Sequence, residues 1–444
     1  MQNIIGAIVV LGILITVHEL GHAVAARLFG IRIEKFSIGF GPKLIGFMLG
    51  ETEFRLSLIP LGGYLKMQGE NLDEEVKDPE RSFKTKKWWQ RSLVAFAGPF
   101  FNLILALLVF IISFMIGKTY KDNLPVIGRI NSTEFAVFQP GDRVISFNGE
   151  EIEGWNQLIQ LTREEETNTV EIIRQEENMV IELPSLDKSI WYNQLLPYAP
   201  AVVGEVAPGL SAYRTGIVEG DSILAVNGKP VNDWYEMREL ITSNQTERIQ
   251  LKLKRDGRLI EKELDLEENL LEDNRIIGIT QQLPVRIEER YSILESIRYG
   301  TVSTASFVVL NYVMLYKLLA NPGSIKSNLG GPVMIFTMSQ QTIKEGWDTI
   351  LGFIAAISII LMIMNLLPIP ILDGGHIMFC LIEGVFRKPL SQKVQVALQN
   401  IGFLILISLM IFAFFNDFNR IFNRKMSMQE ETNKSTEFQN QDQP

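Results

Sequence analysis

The sequence predicts a polytopic α-helical membrane protein with four transmembrane helices, a membrane-associated β-hairpin and two small α+β domains in tandem. Of its 444 residues, 47% are hydrophobic although 21% are charged, a mixture that indicates apolar spans beside charged soluble parts. Four stretches reach the roughly 20 apolar residues that cross a bilayer, and they cover 4–24, 93–117, 350–372 and 398–416. A repeated pattern lies between the second and third stretches.

Charge is spread unevenly and predicts the orientation of the chain. Residues 25–92 are rich in Lys and Arg, whereas 118–290 is strongly acidic. Because basic segments stay on the cytoplasmic side, we expect 25–92 in the cytoplasm and the N-terminus and 118–290 outside. The first stretch lacks a basic leader and a small-residue cleavage site, so a retained span is expected. Trp88 and Trp89 within the basic run 84–91 favour an interfacial anchor over a solvated loop.

Two bulk properties exclude other classes. The net charge of −9 argues against nucleic-acid binding. The single cysteine, Cys380, excludes an internal disulfide.

An internal repeat fills the outward segment. "GDRVISFNGEEIEGWNQL" begins at Gly141, and "GDSILAVNGKPVNDWYEM" begins 79 residues later at Gly220. Each copy predicts a strand, an Asn-Gly hairpin turn, a second strand and a helix. The long period indicates two tandem domains rather than a solenoid.

Three other segments complete the prediction. "TEFRLSLIPLGGYLKM" alternates, with Phe54, Leu56 and Leu58 on one face and a turn at Gly62 and Gly63, which predicts a β-hairpin over 52–68 at the membrane surface. Residues 292–320 are expected on or partly in the outer face. The polar tail is expected to be disordered. The predicted parts of the chain are the first two spans with the hairpin (1–117), the two repeat domains (118–197 and 198–285), the helical region at the outer face (286–345), the last two spans (346–420) and the polar tail (421–444).

The first span contains V-H-E-L-G-H-A, which begins at Val17. On a helix His18 and His22 share one face, because they are four residues apart. Neutral imidazoles at this spacing can bind one Zn²⁺, with Glu19 beside them as a general base. Helix packing is the alternative role for the two histidines, but ionisable groups at membrane depth are costly and therefore indicate function.

A catalytic zinc site usually needs a third protein ligand. "NLLPIPILDGGHIMF" offers Asp373 and His376 at the inner end of the third span, and both are chemically suitable. Pro368 and Pro370 must interrupt the helix there. Because irregular backbone at depth has to line protein or a wet cavity, the site is expected between Asn365 and His376.

These motifs resemble the site-2 protease family of intramembrane zinc metalloproteases, peptidase family M50. H-E-L-G-H in one span and L-D-G-G in a later span carry the resemblance, and "FSIGFGP" and "IPLGGYLKM" are similar to its RseP-like members from Gram-negative bacteria. The two repeats resemble circularly permuted bacterial PDZ domains. The first copy departs from that pattern, since "NSTEFAVFQPGD" lacks the usual Ala-Gly-apolar approach to its Gly-Asp. The resemblance covers Ile4 to Asn419.

The resemblance implies roles for single residues. Asp373 would be the third ligand of one Zn²⁺ per chain, and His376 would make packing or supporting contacts. Asn365 would bind substrate backbone. In the G-P-x-x-N motif of Gly98, Pro99 and Asn102, the amide either acts in the site or bridges helices.

The implied function is an intramembrane endopeptidase of the bacterial inner membrane, with its active site toward the cytoplasm. Implied substrates are single-span proteins, such as an anti-sigma factor trimmed by another protease and remnant signal peptides. An edge strand in 52–68 would hold the unwound substrate. Two periplasmic PDZ domains would exclude bulky ectodomains and could bind peptide C-termini, with inert spacers as the alternative.

Two other functions are alternatives to proteolysis. A non-catalytic membrane scaffold that presents PDZ domains is disfavoured by the intact Glu19 and metal ligands. A metal transporter is disfavoured because the polar groups cluster at one depth.

Overall fold

The computed structural model describes residues 2–70, 78–185, 187–188, 194–269, 274–321, 331, 334, 342 and 346–441. The chain divides into two compact units. The first comprises Met1–Gly117, Arg290–Ala320 and Gly331–Phe415, and the second comprises Lys118–Glu289, Asn321–Gly330 and Asn416–Pro444.

The described residues form nine α-helices. In chain order these are α1 (Gln2–Leu28), α2 (Trp88–Ile116), α3 (Trp155–Leu161), α4 (Ser211–Arg214), α5 (Trp234–Thr242), α6 (Ile293–Ala320), α7 (Trp347–Asn365), α8 (Asp373–Phe386) and α9 (Gln392–Gln441).

The described residues also form eighteen β-strands. They are β1 (Ile33–Leu49), β2 (Thr52–Met67), β3 (Lys118–Asp122), β4 (Ile127–Ile130), β5 (Arg143–Phe147), β6 (Glu150–Glu151), β7 (Asn168–Arg174), β8 (Glu177–Leu183), β9 (Leu195–Pro197), β10 (Val203–Val206), β11 (Ser222–Val226), β12 (Lys229–Pro230), β13 (Arg248–Arg255), β14 (Arg258–Asp265), β15 (Glu267–Asn269), β16 (Asn274–Ile276), β17 (Ile279–Gln281) and β18 (Val285–Glu289).

Five described helices are long and apolar enough to cross a membrane, namely α1, α2, α6, α7 and α9. Three of the four predicted spans coincide with α1, α2 and α9. The third predicted span, 350–372, is too long, because α7 ends at Asn365. Pro368 and Pro370 follow, and a proline removes a helical hydrogen bond and clashes with the preceding turn. The chain becomes helical again only at Asp373, where α8 begins.

The fifth candidate, α6, covers the region that the sequence placed at the outer face. It packs against α2 and α7. Ser296, Gly300 and Thr304 are its buried residues, and a Cβ added to Gly300 would lie only 2.6 Å from Ile111 Cγ1. Small residues at this spacing let two helices approach closely. The expected position of α6 at the outer face stays a prediction, and much of 321–345 lies outside the described residues.

The segment 33–67 forms a sheet whose pairing differs from the predicted hairpin. The turn between β1 and β2 falls at Gly50 and Glu51. Ser37, near the start of β1, lies opposite both Arg55 and Tyr64 of β2. The two halves of β2 therefore lie on either side of the start of β1 and do not pair with each other across Gly62 and Gly63. This arrangement needs β1 to bend, and Gly39 and Gly41 permit it with φ of +89° and +88°.

The polar tail also differs from its prediction. Residues 421–441 continue α9 as helix, where disorder was expected. Within the second unit, the Arg424 guanidinium lies 3.8 Å from the centre of the Tyr213 ring, and Arg420 packs against Gly209. These contacts hold the first turns of the segment, and its Lys, Met, Gln and Glu residues favour helix.

The two repeats fold alike in the second unit. Their four-stranded sheets have the orders β6-β5-β7-β8 and β12-β11-β13-β14. The Asn-Gly turns lie where the sequence predicted them, with φ of 52° at Asn148 and 49° at Asn227. Helices α3 and α5 then begin at Trp155 and Trp234. Each repeat encloses its own hydrophobic core.

The same buried ion pair recurs in both repeats. Asp142 accepts two hydrogen bonds from Arg174, and Asp221 accepts two from Arg255 at 2.6 and 2.7 Å. Asp221 is fully buried and also accepts the Val218 N–H at 3.0 Å. Removing one partner of such a pair leaves a buried charge and a backbone donor without partners.

We therefore expect Asp221→Ala to destabilise the second repeat by about 2–4 kcal/mol. Thermal unfolding of the purified protein, followed by tryptophan fluorescence, measures the effect. Asp265→Ala is the matched control, because Asp265 pairs with Arg248 on the exposed surface and such pairs contribute about 0–1 kcal/mol. Equal shifts in the two variants would contradict a structural role for the buried pair.

Candidate active site

The histidines of the first span meet on one face of α1, as their spacing predicts. His18 and His22 are both buried, and their Nε2 atoms lie 3.2 Å apart. The helix places successive imidazoles one turn apart. Both rings can therefore present a nitrogen to the same point in space.

Asp373 brings a carboxylate to the same point from the distant end of the chain. It is the first residue of α8. Its Oδ2 lies 3.0 Å from His18 Nε2 and its Oδ1 lies 3.5 Å from His22 Nε2. Gly374 and Gly375 allow this entry into α8, since a Cβ on either would lie 2.3 Å from a backbone oxygen of the preceding segment.

The three side chains could hold a metal ion, and their spacing fits zinc. All three ligand atoms lie within 4.8 Å of one another. Zinc–nitrogen and zinc–oxygen bonds near 2.0–2.1 Å place tetrahedral ligands about 3.3 Å apart, close to the separations observed. Gly98 of α2 leaves room for the rings, because a Cβ there would lie 2.3 Å from His22 Nε2.

Helix α2 orients both imidazoles. His22 Nδ1–H donates to the Val94 carbonyl oxygen at 2.8 Å. The Asn102 amide lies 3.3 Å from His18 Nδ1, and Asn102 Oδ1 has no hydrogen-bond partner among the described residues. Turning this amide by 180° lets its oxygen accept Nδ1–H. Both Nε2 atoms are then free for a metal.

Glu19 lies next to this trio on α1, against the end of β2. Its carboxylate hydrogen-bonds with the Leu65 backbone. Gly63 packs beside it, since a Cβ on Gly63 would lie 3.7 Å from Glu19 Cγ. The close approach of β2 to α1 therefore sets the position of the Glu19 side chain.

A cavity of about 360 Å³ opens onto these groups. Asn365 and His376 line it together with His18, Glu19, His22 and Asp373. His376 also contacts the Phe379 ring edge-on, and it does not belong to the group that could hold a metal. Of the two candidates at the end of the third span, the structure thus brings Asp373 to the histidines.

The predicted strand residues are placed differently. Phe54, Leu56 and Leu58 do not line the cavity, because the first part of β1 separates their half of β2 from the site. Tyr64, Leu65 and Met67 line it instead. Gly62, which precedes them in β2, has a φ of +147°.

The sequence does not predict two groups of the site, the Val94 carbonyl and the Glu70 side chain. A backbone carbonyl gives no signal in a sequence, because every residue has one. Glu70 lines the cavity as well, and it follows "KMQG" without a metal-binding or catalytic pattern. Glu70 is exposed as a residue, but the protein around its carboxyl group limits hydration and raises its pKa to about 7, against a smaller lowering by the Met67 N–H.

The chain is similar to known proteins over most of its length. The family model described as peptidase family M50 matches residues 6–409. A regulator of sigma E protease from Haemophilus influenzae is 34% identical over 93% of this chain and 98% of its own length. The regulator of sigma-E protease RseP from Escherichia coli is 33% identical over the same shares of both chains.

A protein of Vibrio cholerae named as a zinc metalloprotease is 33% identical over 95% of this chain and 99% of its own length. The family match spans nearly the whole chain, including both segments that meet at the cavity. The chain therefore belongs to peptidase family M50 and is a metalloendopeptidase of that family.

Proposed function

We propose that the protein is a zinc-dependent intramembrane endopeptidase in which His18, His22 and Asp373 hold one Zn²⁺ per chain. The single observation that carries this proposal is the meeting of these three side chains at tetrahedral spacing. His18 and His22 belong to α1, which is long and apolar enough to cross a membrane, and Asp373 begins α8, which follows α7, a second helix of that kind. When bound, the zinc would activate a water molecule and polarise the scissile carbonyl.

Glu19 is the group that moves protons in this mechanism. Its carboxylate would accept a proton from the attacking water and later donate it to the leaving nitrogen. In the substrate-free protein, the hydrogen bond with the Leu65 backbone holds the carboxylate at the wall of the cavity, where its role as base requires it. Hydrolysis of one peptide bond by water needs no other reactant.

Neighbouring groups would orient the metal ligands and the substrate. Val94 and Asn102 would fix the tautomer in which both imidazoles offer Nε2. Asn365 ends α7 and lines the cavity, so its amide could bind the substrate backbone beside the reacting bond. His376 would serve as a packing and supporting residue, as its contact with Phe379 indicates.

The end of β2 would hold the substrate extended. A membrane helix hides its carbonyls in its own hydrogen bonds, so the segment to be cut must unwind. A free strand edge can capture it by main-chain pairing. Residues 63–67 suit this role better than 54–58, because they lie beside Glu19 and line the cavity.

Localisation and substrate follow from the relatives and from charge. The basic residues of 25–92 support a site toward the cytoplasm of the bacterial inner membrane. The two repeats would be periplasmic PDZ domains that exclude bulky ectodomains. Relatives named regulator of sigma E protease support a trimmed anti-sigma factor as one single-span substrate, with remnant signal peptides as another.

Glu19→Gln should reduce cleavage of a single-span substrate by about a thousandfold, since general acid–base catalysis contributes about 10²–10⁴. The assay compares purified variants on a tagged, pre-trimmed membrane protein, and elemental analysis follows zinc. Zinc content should stay unchanged. Glu80→Gln is the control, because Glu80 is exposed and does not line the cavity. Full activity of Glu19→Gln would exclude the proposed base.

Gly98→Ala should weaken zinc binding by about 10–100-fold, the range for disturbed ligand orientation. The added methyl group needs the space of the His22 ring. Competition with a chelator, read by elemental analysis, measures this without any assay of cleavage. Gly12→Ala in α1 is the matched control, because a Cβ there meets nothing within 4 Å. Unchanged zinc affinity in Gly98→Ala would contradict the site.

A further inference from the structure

The end of β2 presents a strand edge toward the cavity. Phe36 of β1 lies opposite Leu65, and Ile33 lies opposite Met67. Within the described residues, no other strand pairs with 63–67 on the side away from β1. Alternate backbone N–H groups of a strand point to the same side, so Leu65 and Met67 direct their N–H groups together.

A carboxylate binds each of these two backbone positions. The Glu19 carboxylate hydrogen-bonds with the Leu65 backbone, and Glu70 Oε2 accepts the Met67 N–H at 3.0 Å. A tight turn makes the second contact possible. The Glu70 N–H donates to the Met67 carbonyl oxygen at 3.3 Å, and Gly69 between them has a φ of +69°, which glycine adopts without strain.

Glu70 has no other strong partner in the part of the chain that the structure describes. Its carboxylate receives the Met67 N–H and forms no ion pair there, whereas Glu34 pairs with Lys66 at 2.9 Å and Glu383 pairs with Arg91. The residue is exposed and lines the cavity. Its carboxylate can therefore leave Met67 without breaking a buried ion pair.

We propose that Glu70 occupies the place of a substrate carbonyl on this strand edge and must be displaced when a substrate pairs with it. The proposal rests on the proposed capture of substrate by residues 63–67. A carboxylate is a stronger acceptor than a peptide carbonyl. Only a segment that offers several aligned carbonyls would therefore displace it, and a helical segment offers none.

The same contact sets the register of the captured strand. Met67 and Leu65 are two residues apart, so two substrate carbonyls at the same spacing would replace Glu70 and Glu19. Displacement from Leu65 would also release the Glu19 carboxylate for its role as base. Glu70 is thus a positioning residue that limits access to the edge and takes no part in the reaction.

Glu70→Ala tests this competition in the full-length protein at about pH 8, where Glu70 is mostly ionised because its pKa is about 7. We expect KM for an unfolded single-span peptide to fall about 3–10-fold, because one charge-assisted hydrogen bond no longer has to be replaced. The turnover number should change by less than about twofold. Amide exchange, read by mass spectrometry of the segment 63–70 without substrate, should become faster in the variant.

Matched variants and the exchange measurement make the test decisive. Glu80→Ala removes an exposed glutamate outside the cavity and should change neither KM nor exchange. Glu70→Gln keeps the size of the side chain but offers a weaker acceptor, so its changes in KM and in exchange should have the same direction and be smaller. It replaces Glu70→Ala in the test if that variant loses zinc.

An unchanged or raised KM, or exchange of 63–70 that stays at the wild-type rate, would overturn the proposal. A turnover number that falls more than about tenfold with KM unchanged would make Glu70 part of the catalytic machinery instead. Failure of the wild type to cleave would refute the proposed protease function, while the exchange rates would still test whether Glu70 covers the edge.

Discussion

The close approach of α1 and α2 is the constraint on which the site depends. A Cβ on Gly21 would lie 2.3 Å from the Ala97 carbonyl oxygen, so the two backbones touch at this level. The two imidazoles lie in the space that Gly98 leaves open. Only at this separation can His22 reach the Val94 carbonyl and His18 reach Asn102. Larger residues at either glycine would separate the histidines from the groups that orient them.

Polar contacts of α2 with α7 and α8 connect this arrangement to the rest of the first unit. Ser358 of α7 donates its hydroxyl to the Asn102 carbonyl oxygen at 2.8 Å, and Ser113 donates to the Asp348 carbonyl oxygen at 3.1 Å. Arg91 forms an ion pair with Glu383 of α8. Polar contacts between apolar helices specify register, which apolar packing alone leaves loose. The break between α7 and α8, and with it Asp373, is thereby placed opposite the histidines.

The sequence predicted the chemistry of the site better than its surroundings. The spacing of His18 and His22 and the prolines after Asn365 each have a local physical cause, and local causes can be read from a sequence. The choice between Asp373 and His376 could not be read this way, because it depends on how α8 enters. The pairing of β2 was predicted wrongly for the same reason: alternation reveals a strand, but the partner on each side is decided by the bends at Gly39 and Gly41.

The three residues that could hold a metal ion are separated by almost the whole chain, and this has a consequence for biosynthesis. His18 and His22 leave the ribosome early, whereas Asp373 follows after both repeats have been made. Two imidazoles alone bind zinc weakly compared with a complete ligand set. A nascent chain would therefore lack the complete ligand set until after both repeats have been made, and a product truncated before α8 would lack hydrolytic activity.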